Sequence, residues 1–229
     1  MTKVSQLSLF FWCSVVVASV LSAAEPLLHL NGLPGELTVV NAPAAIHTDA
    51  AGTTLYLEAP AKTNLYNHPN GRSTALTAPM VLFETDTEFF LKVRVTGKLK
   101  NVYDVAALVI YQDSNTWAKL CYEYSMMNEP TIVSVVTRGV SDDCNSQYID
   151  ADSVYLAIVR RGPVFAFHYS LDGKLWRMVR HFNLKTGGKL KAGLAVHASR
   201  GDGFAATFSE IAYSDKPPAN MIDLNAPTK

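Results

Sequence analysis

The chain has 229 residues, with 20 basic against 20 acidic side chains, a formal net charge of +0. Hydrophobic residues make up 48% and charged residues 17%, which excludes a disordered chain and suffices for one sizeable core. A neutral balance argues against nucleic acid or an anionic membrane surface as the principal partner, because phosphate binding needs a local surplus of Lys and Arg.

Residues 1–24 read as a secretory signal peptide. Lys3 supplies the positive start, residues 7–21 an uncharged apolar run, and Ser22-Ala23-Ala24 a small-residue cleavage site ahead of Glu25. The run is short against the roughly 20 apolar residues that a spanning helix needs. The expectation is therefore a secreted, periplasmic or cell-envelope protein with no stable membrane span after cleavage. A retained N-terminal anchor is the competing reading. Cys121 and Cys144 remain in the mature chain. An exported protein can join them in a disulfide, and buried free thiols are equally compatible with the sequence.

After residue 24 the pattern is one of short β-rich runs between turn signals. Candidate strands are 36–40, 53–59, 88–96, 105–112, 116–124, 131–138, 153–160, 164–170, 175–182, 190–198 and 204–213. Asn70-Gly71, Gly162-Pro163, Asp172-Gly173, Gly187-Gly188 and Gly201-Asp202-Gly203 punctuate them, residue pairs that suit the special φ of tight turns. Many strands without helical crossovers predict an all-β fold, an antiparallel sandwich or barrel. The domain is expected over 27–214, with a flexible Pro-rich tail over 215–229.

Two strands can be sorted by alternation. A two-residue turn at Asp172-Gly173 would set Tyr169 opposite Trp176, Phe167 opposite Met178 and His168 opposite Arg177. Phe165, Phe167, Tyr169, Trp176 and Met178 would then face the core, with His168, Ser170 and Arg177 outside. In 116–124, Ala118, Leu120, Tyr122 and Tyr124 form the core face and Trp117, Lys119, Cys121 and Glu123 the other. A row of Trp, Lys and Glu in mid-strand is either a ligand surface or a charged edge that discourages sheet-to-sheet association.

Several stretches together resemble the DUF1349, or regulation-of-enolase-protein-1, family of concanavalin A-like lectin/glucanase sandwiches. They are Asn64-Leu-Tyr-Asn67 with Asn70-Gly71, Asp104-Val-Ala-Ala-Leu-Val-Ile-Tyr111, Trp117-Ala-Lys-Leu-Cys-Tyr-Glu123 and Val133-Ser-Val-Val-Thr-Arg-Gly139. Ser141-Asp-Asp-Cys-Asn145, Phe167-His-Tyr-Ser-Leu-Asp-Gly173 with Trp176, and the 204–208 strand complete them, so the resemblance covers roughly residues 50–213. It implies a two-sheet antiparallel jelly roll and no established activity. The family's Gln-Ser-Pro-like stretch before the last strand reads Val196-His-Ala-Ser199 here.

On such a sandwich a glycan is held by an aromatic ring stacked on the sugar and by side chains bonded to its hydroxyls. Trp117 is the expected platform, with Lys119, Glu123, Arg138, His168 and Arg177 as polar partners, and carbohydrate or a glycoconjugate as the ligand. A glycoside hydrolase with Glu123 as general acid is the alternative. It needs a second carboxylate across a cleft, for which Asp104, Asp142 and Asp143 are available. The Glu-x-Asp-x-x-Glu motif of related glucanases is absent. A structural or protein-interaction domain of the cell envelope is the third class, and would show a flat apolar patch. No cofactor is expected. Calcium is the one metal considered, with Asp142 and Asp143 as its donors in a loop; an Asx-bonded turn there is the simpler reading. Ser170-Leu-Asp-Gly-Lys-Leu-Trp176 looks like a shortened Asp-box, a turn-stabilising device.

Overall fold

The structure is a computed structural model that describes residues 28–187 and 189–226; the signal-peptide reading therefore lies outside the described residues. All regular structure there is β. In chain order the strands are β1 (Thr38–Val40), β2 (Ala45–Thr48), β3 (Leu55–Pro60), β4 (Leu65–Asn67), β5 (Thr74–Leu76), β6 (Met80–Glu84), β7 (Glu88–Thr96) and β8 (Asp104–Asp113). They continue as β9 (Thr116–Tyr124), β10 (Pro130–Arg138), β11 (Val140–Tyr148), β12 (Ser153–Arg161), β13 (Val164–Ser170), β14 (Arg177–Asn183), β15 (Lys191–Ala198) and β16 (Gly203–Ser214). Among the described residues no helix is long and apolar enough to cross a membrane.

Two antiparallel sheets of seven strands pack face to face. The front sheet runs β1-β6-β15-β8-β9-β10-β11 and the back sheet β14-β13-β12-β7-β16-β3-β2. Their alternation decides what lies between them. Leu91, Val93, Leu156, Ile158, Phe165 and Phe167 point inward from the back sheet to meet Ala106, Leu108, Ala118, Leu120 and Tyr122 from the front. The parity expected of 116–124 is therefore observed, apart from half-exposed Tyr124.

The front sheet has a second apolar layer on its other face. Ala107, Val109, Trp117, Cys121, Val133 and Val135 are buried there beneath Leu65 and Ala78, with Leu76 packed against them. The cover is the β4–β5 hairpin, too short to stand alone and held by side chains from distant strands. The Asn67 backbone N–H donates to Ser141 Oγ at 3.0 Å, and its Nδ2 donates to the Ser114 and Gly139 carbonyls at 2.9 Å each. Asn41 Nδ2 donates to the carbonyls of Leu76 at 3.0 Å and Ala78 at 2.8 Å. Burying Leu65 alone stabilises the cover by about 2 kcal/mol.

Two sequence expectations are corrected, and the open question of the two cysteines is resolved. The β13–β14 register places Tyr169 opposite Arg177 and His168 opposite Met178, with a bulge at Phe167/His168. Asp172 Oδ1 accepts from the N–H groups of Lys174 and Leu175, both at 2.8 Å, and from Ser170 Oγ at 2.9 Å. This wider Asx-type loop replaces the two-residue turn, so Trp176 is only half-buried and Met178 is 46% exposed. Of the expected flexible tail, the described residues 215–226 are docked on the back sheet. Arg161 donates to the Pro217 and Pro218 carbonyls, His168 Nε2 to the Met221 carbonyl at 2.9 Å, and Asn225 brackets the Trp176 backbone. Cys121 and Cys144 are both free thiols. Their strands β9 and β11 are separated by β10, about 10 Å across two strand spacings, which is beyond disulfide reach.

Candidate functional site

The hairpin covers only part of the outer face of the front sheet. Beside it lies a cavity of about 380 Å³. Its floor is Val133 and Val135 of β10, and β9 contributes Lys119 and Glu123. Asn64, Tyr66 and His68 come from the hairpin segment, Tyr103 from the loop before β8, Asp143 from β11 and His197 from β15. Met126, in the β9–β10 turn, lines the mouth and is 65% exposed.

Strand register places these groups. Lys119 lies in a row with Val109 and Gly193 on one side and Val135 and Asp143 on the other. Glu123 shares a row with Val105 and His197. The row between is Ala195, Ala107 and Cys121. Its small alanines let the Lys119 side chain lie across them and bring Nζ to 3.0 Å from His197 Nε2. Burial, then the Lys119 charge, holds His197 well below the ordinary imidazole range. His197 is thus neutral: Nε2 accepts from Lys119, and Nδ1–H donates to Ser199 Oγ at 3.3 Å.

Glu123 is 7% exposed. Burial pushes its carboxyl up to about 7, Lys119 pulls it down, and Asp143 pushes it up again. Among the described residues no hydrogen bond contributes to that balance. Among the described residues Lys119 and Glu123 form no direct ion pair. Tyr66 Oη donates to Asp143 Oδ1 at 3.0 Å, and burial followed by this bond raises the Tyr66 phenol to about 12. His68 Nδ1 accepts from the Asn70 backbone N–H at 3.2 Å, which leaves its Nε2 as the donor. The Arg200 guanidinium lies 5.2 Å from the Tyr103 ring centroid, a cation–π contact at the rim.

Of the residues predicted from sequence, this cavity unites Lys119, Glu123 and Asp143. Trp117 is fully buried beneath the hairpin and offers no face to a ligand. Arg138, at the far end of β10, donates to the Asn183 carbonyl and borders a separate groove. His168 and Arg177 belong to the back sheet, where His168 is buried under the tail. Asp142 and Asp143 occupy strand β11 rather than a loop, so they point to opposite faces. Asp142 pairs with Arg180 at 2.9 Å while Asp143 meets Tyr66; the two cannot ligate one calcium ion. Tyr66, Tyr103 and His197 are the functional candidates that sequence reasoning missed. Tyr66 lies in one of the family-like stretches, and His197 in the stretch that departs from the family.

Comparisons with known proteins set the chain among its relatives. The family described as "Protein of unknown function (DUF1349)" matches residues 39–216. Regulation of enolase protein 1 of Saccharomyces cerevisiae is 29% identical over 175 residues, 76% of this chain and 86% of its own length. A crystal structure of a functionally unknown protein from Saccharomyces cerevisiae superposes with a TM-score of 0.73 at 26% identity, covering 80% of this chain and 97% of that one. The GH43 protein BlXynB of Bacillus licheniformis gives 0.58 at 19% identity, over 70% of this chain and 33% of its own. The carbohydrate-binding module CBM66 of Bacillus subtilis gives 0.50 at 14% identity, over 78% and 94%. At those identities the last two share the β-sandwich and carry no assignment of residues.

Proposed function

We propose, from the premise that this chain belongs to the DUF1349 family of proteins of unknown function, that it binds a carbohydrate or glycoconjugate in the cavity beside the β4–β5 hairpin. One observation carries the reading. Lys119 and Glu123 are both buried in the cavity wall, feel each other electrostatically, and leave a gap between them. A sugar hydroxyl can accept from the amine and donate to the carboxyl at once, which a simple anion or cation cannot. Tyr66 and Tyr103 replace Trp117 as the aromatic surface, and Asn64, His68 and Asp143 add polar contacts near the mouth. The neutral composition suits an uncharged polyol. The signal-like segment 1–24 supports export, so the ligand would be met at or beyond the cell envelope.

A glycan array probed with the purified protein tests this. Selective binding that is lost in Glu123→Gln and weakened in Tyr103→Ala is the expected result. Unchanged binding in both variants would remove the cavity from the account.

A glycoside hydrolase is the second reading, and a specific observation favours it. Glu123 is held near 7, with a second carboxylate, Asp143, in the same cavity. A carboxyl near neutrality can protonate a leaving oxygen, and Asp143, positioned by Tyr66, would serve as base or nucleophile. Release of nitrophenol from aryl glycosides, abolished in both Glu123→Gln and Asp143→Asn, would favour this reading. Binding without turnover would leave the first.

A further inference from the structure

We propose that Lys119 forms a reversible imine with an aldehyde or ketone carbonyl in this cavity, the open-chain reducing end of a sugar being the carbonyl class that fits a polyol site. The proposal rests on the reading that the cavity is the ligand site and adds a covalent activity to it.

The position of the amine is the first argument. Lys119 is 3% exposed in the middle of a seven-stranded sheet, whereas lysines ordinarily keep their heads in water. Its Nζ carries up to three N–H groups, and the protein supplies an acceptor for one of them, His197 Nε2 at 3.0 Å. Among the described residues the remaining substituent positions on nitrogen are uncommitted, and the residue lines the cavity. His197 is itself fixed by Ser199, whose hydroxyl donates onward to the Thr63 carbonyl at 3.3 Å. The amine is thus held by a neutral acceptor and, among the described residues, is not neutralised by a contacting carboxylate.

The second argument is the acid within the same cavity. Imine formation is limited by loss of water from the carbinolamine, which needs a proton donor. In its free-amine form Lys119 Nζ adds to the carbonyl carbon and the N–H proton passes to the carbonyl oxygen. Protonated Glu123 then gives its proton to the new hydroxyl, water leaves, and the C=N bond forms. The products are an iminium cation, the Glu123 carboxylate beside it, and water, so charge and atoms balance. Water addition in the reverse sense releases the carbonyl compound and restores both groups. A buried lysine beside a proton donor is the arrangement from which amine nucleophiles act.

The test uses the full protein, glycolaldehyde and cyanoborohydride, which reduces an iminium to a stable secondary amine. Peptide mass mapping reads which lysine is labelled. A merely structural Lys119 would be labelled last, after exposed amines such as Lys189, whose side chain is 79% exposed. The expected result is labelling of Lys119 ahead of Lys189, slowed about 100-fold in Glu123→Gln, the lower range for loss of a general acid. Labelling of Lys189 with Lys119 untouched overturns the proposal. If the protein binds glycans on the array while Lys119 stays unlabelled, the imine fails and the binding reading stands. If Lys119 is labelled but no glycan binds, the imine stands and the polyol reading fails.

Discussion

Glu123→Gln tests the electrostatics of the cavity without requiring a ligand. The Glu123 carboxyl rises from an ordinary 4.5 to about 7 on folding. Between those values the folded chain keeps a proton that the unfolded chain releases, so stability falls as pH rises through the interval. Below about pH 4.5 the group is protonated in both states and contributes nothing. Above about pH 7 it is ionised in both, and the folded state bears the whole cost of the buried charge. The gap from 4.5 to about 7 corresponds to roughly 3 kcal/mol. Gln keeps the shape and never ionises. Urea unfolding of both proteins at pH 4.5 and pH 8 isolates the effect. Relative to wild type, the variant should gain about 3 kcal/mol at pH 8 over its difference at pH 4.5. In a chain of 229 residues this is about 6–12 °C in Tm. A difference that stays constant across pH would show that Glu123 is not held as a buried, ionisable acid, and the reasoning on the cavity would fall with it.

Four further outcomes depend on where single side chains sit. Gly193→Ala would put a Cβ 1.9 Å from the Val81 carbonyl oxygen, where strands β6 and β15 pair, and should lower stability by about 3 kcal/mol in denaturant titration, at the upper end for overpacking. Trp117→Ala should cost about 3–5 kcal/mol of stability, being a buried aromatic under the hairpin. Tyr103→Ala, by contrast, should act on glycan affinity, weakening it about tenfold by calorimetry through loss of roughly 1.4 kcal/mol of aromatic contact. A thiol reagent should modify exposed Cys144 in the native protein and reach Cys121, whose thiol burial pushes up to about 12, only after unfolding; dithiothreitol should leave Tm unchanged.

What the sequence disclosed was alternation. Residues 116–124 and 88–96 carry a period of two, and both strands appear at those bounds; the core face read for 116–124 is observed at Ala118, Leu120 and Tyr122. Where alternation is erased, so was the reading. Met80–Phe83 are buried on both faces, because the core lies under one and the hairpin layer over the other, so β6 shows a continuous apolar run and was missed. Strand β11 is a polar edge with almost every residue exposed, and its adjacent aspartates therefore read as a loop. Trp117 has the right parity for an outward platform, but the residues that cover it come from far along the chain. Asn67, which anchors the cover, bonds to Ser141 across 74 positions. No local pattern encodes that contact. The same holds for His197 and Lys119, brought together from 78 positions apart by the order of strands β15, β8 and β9.

The seat of the ligand is tested most directly by methyl-labelled NMR with the saccharide selected on the array. Met126 at the mouth and Val133 and Val135 on the floor give separate probes of the cavity. The account predicts saturable shifts at these three, absent in Glu123→Gln. Saturable shifts confined to exposed Leu171, Leu175 and Met178 of the back sheet's β13–β14 hairpin, with Met126, Val133 and Val135 silent, would contradict it.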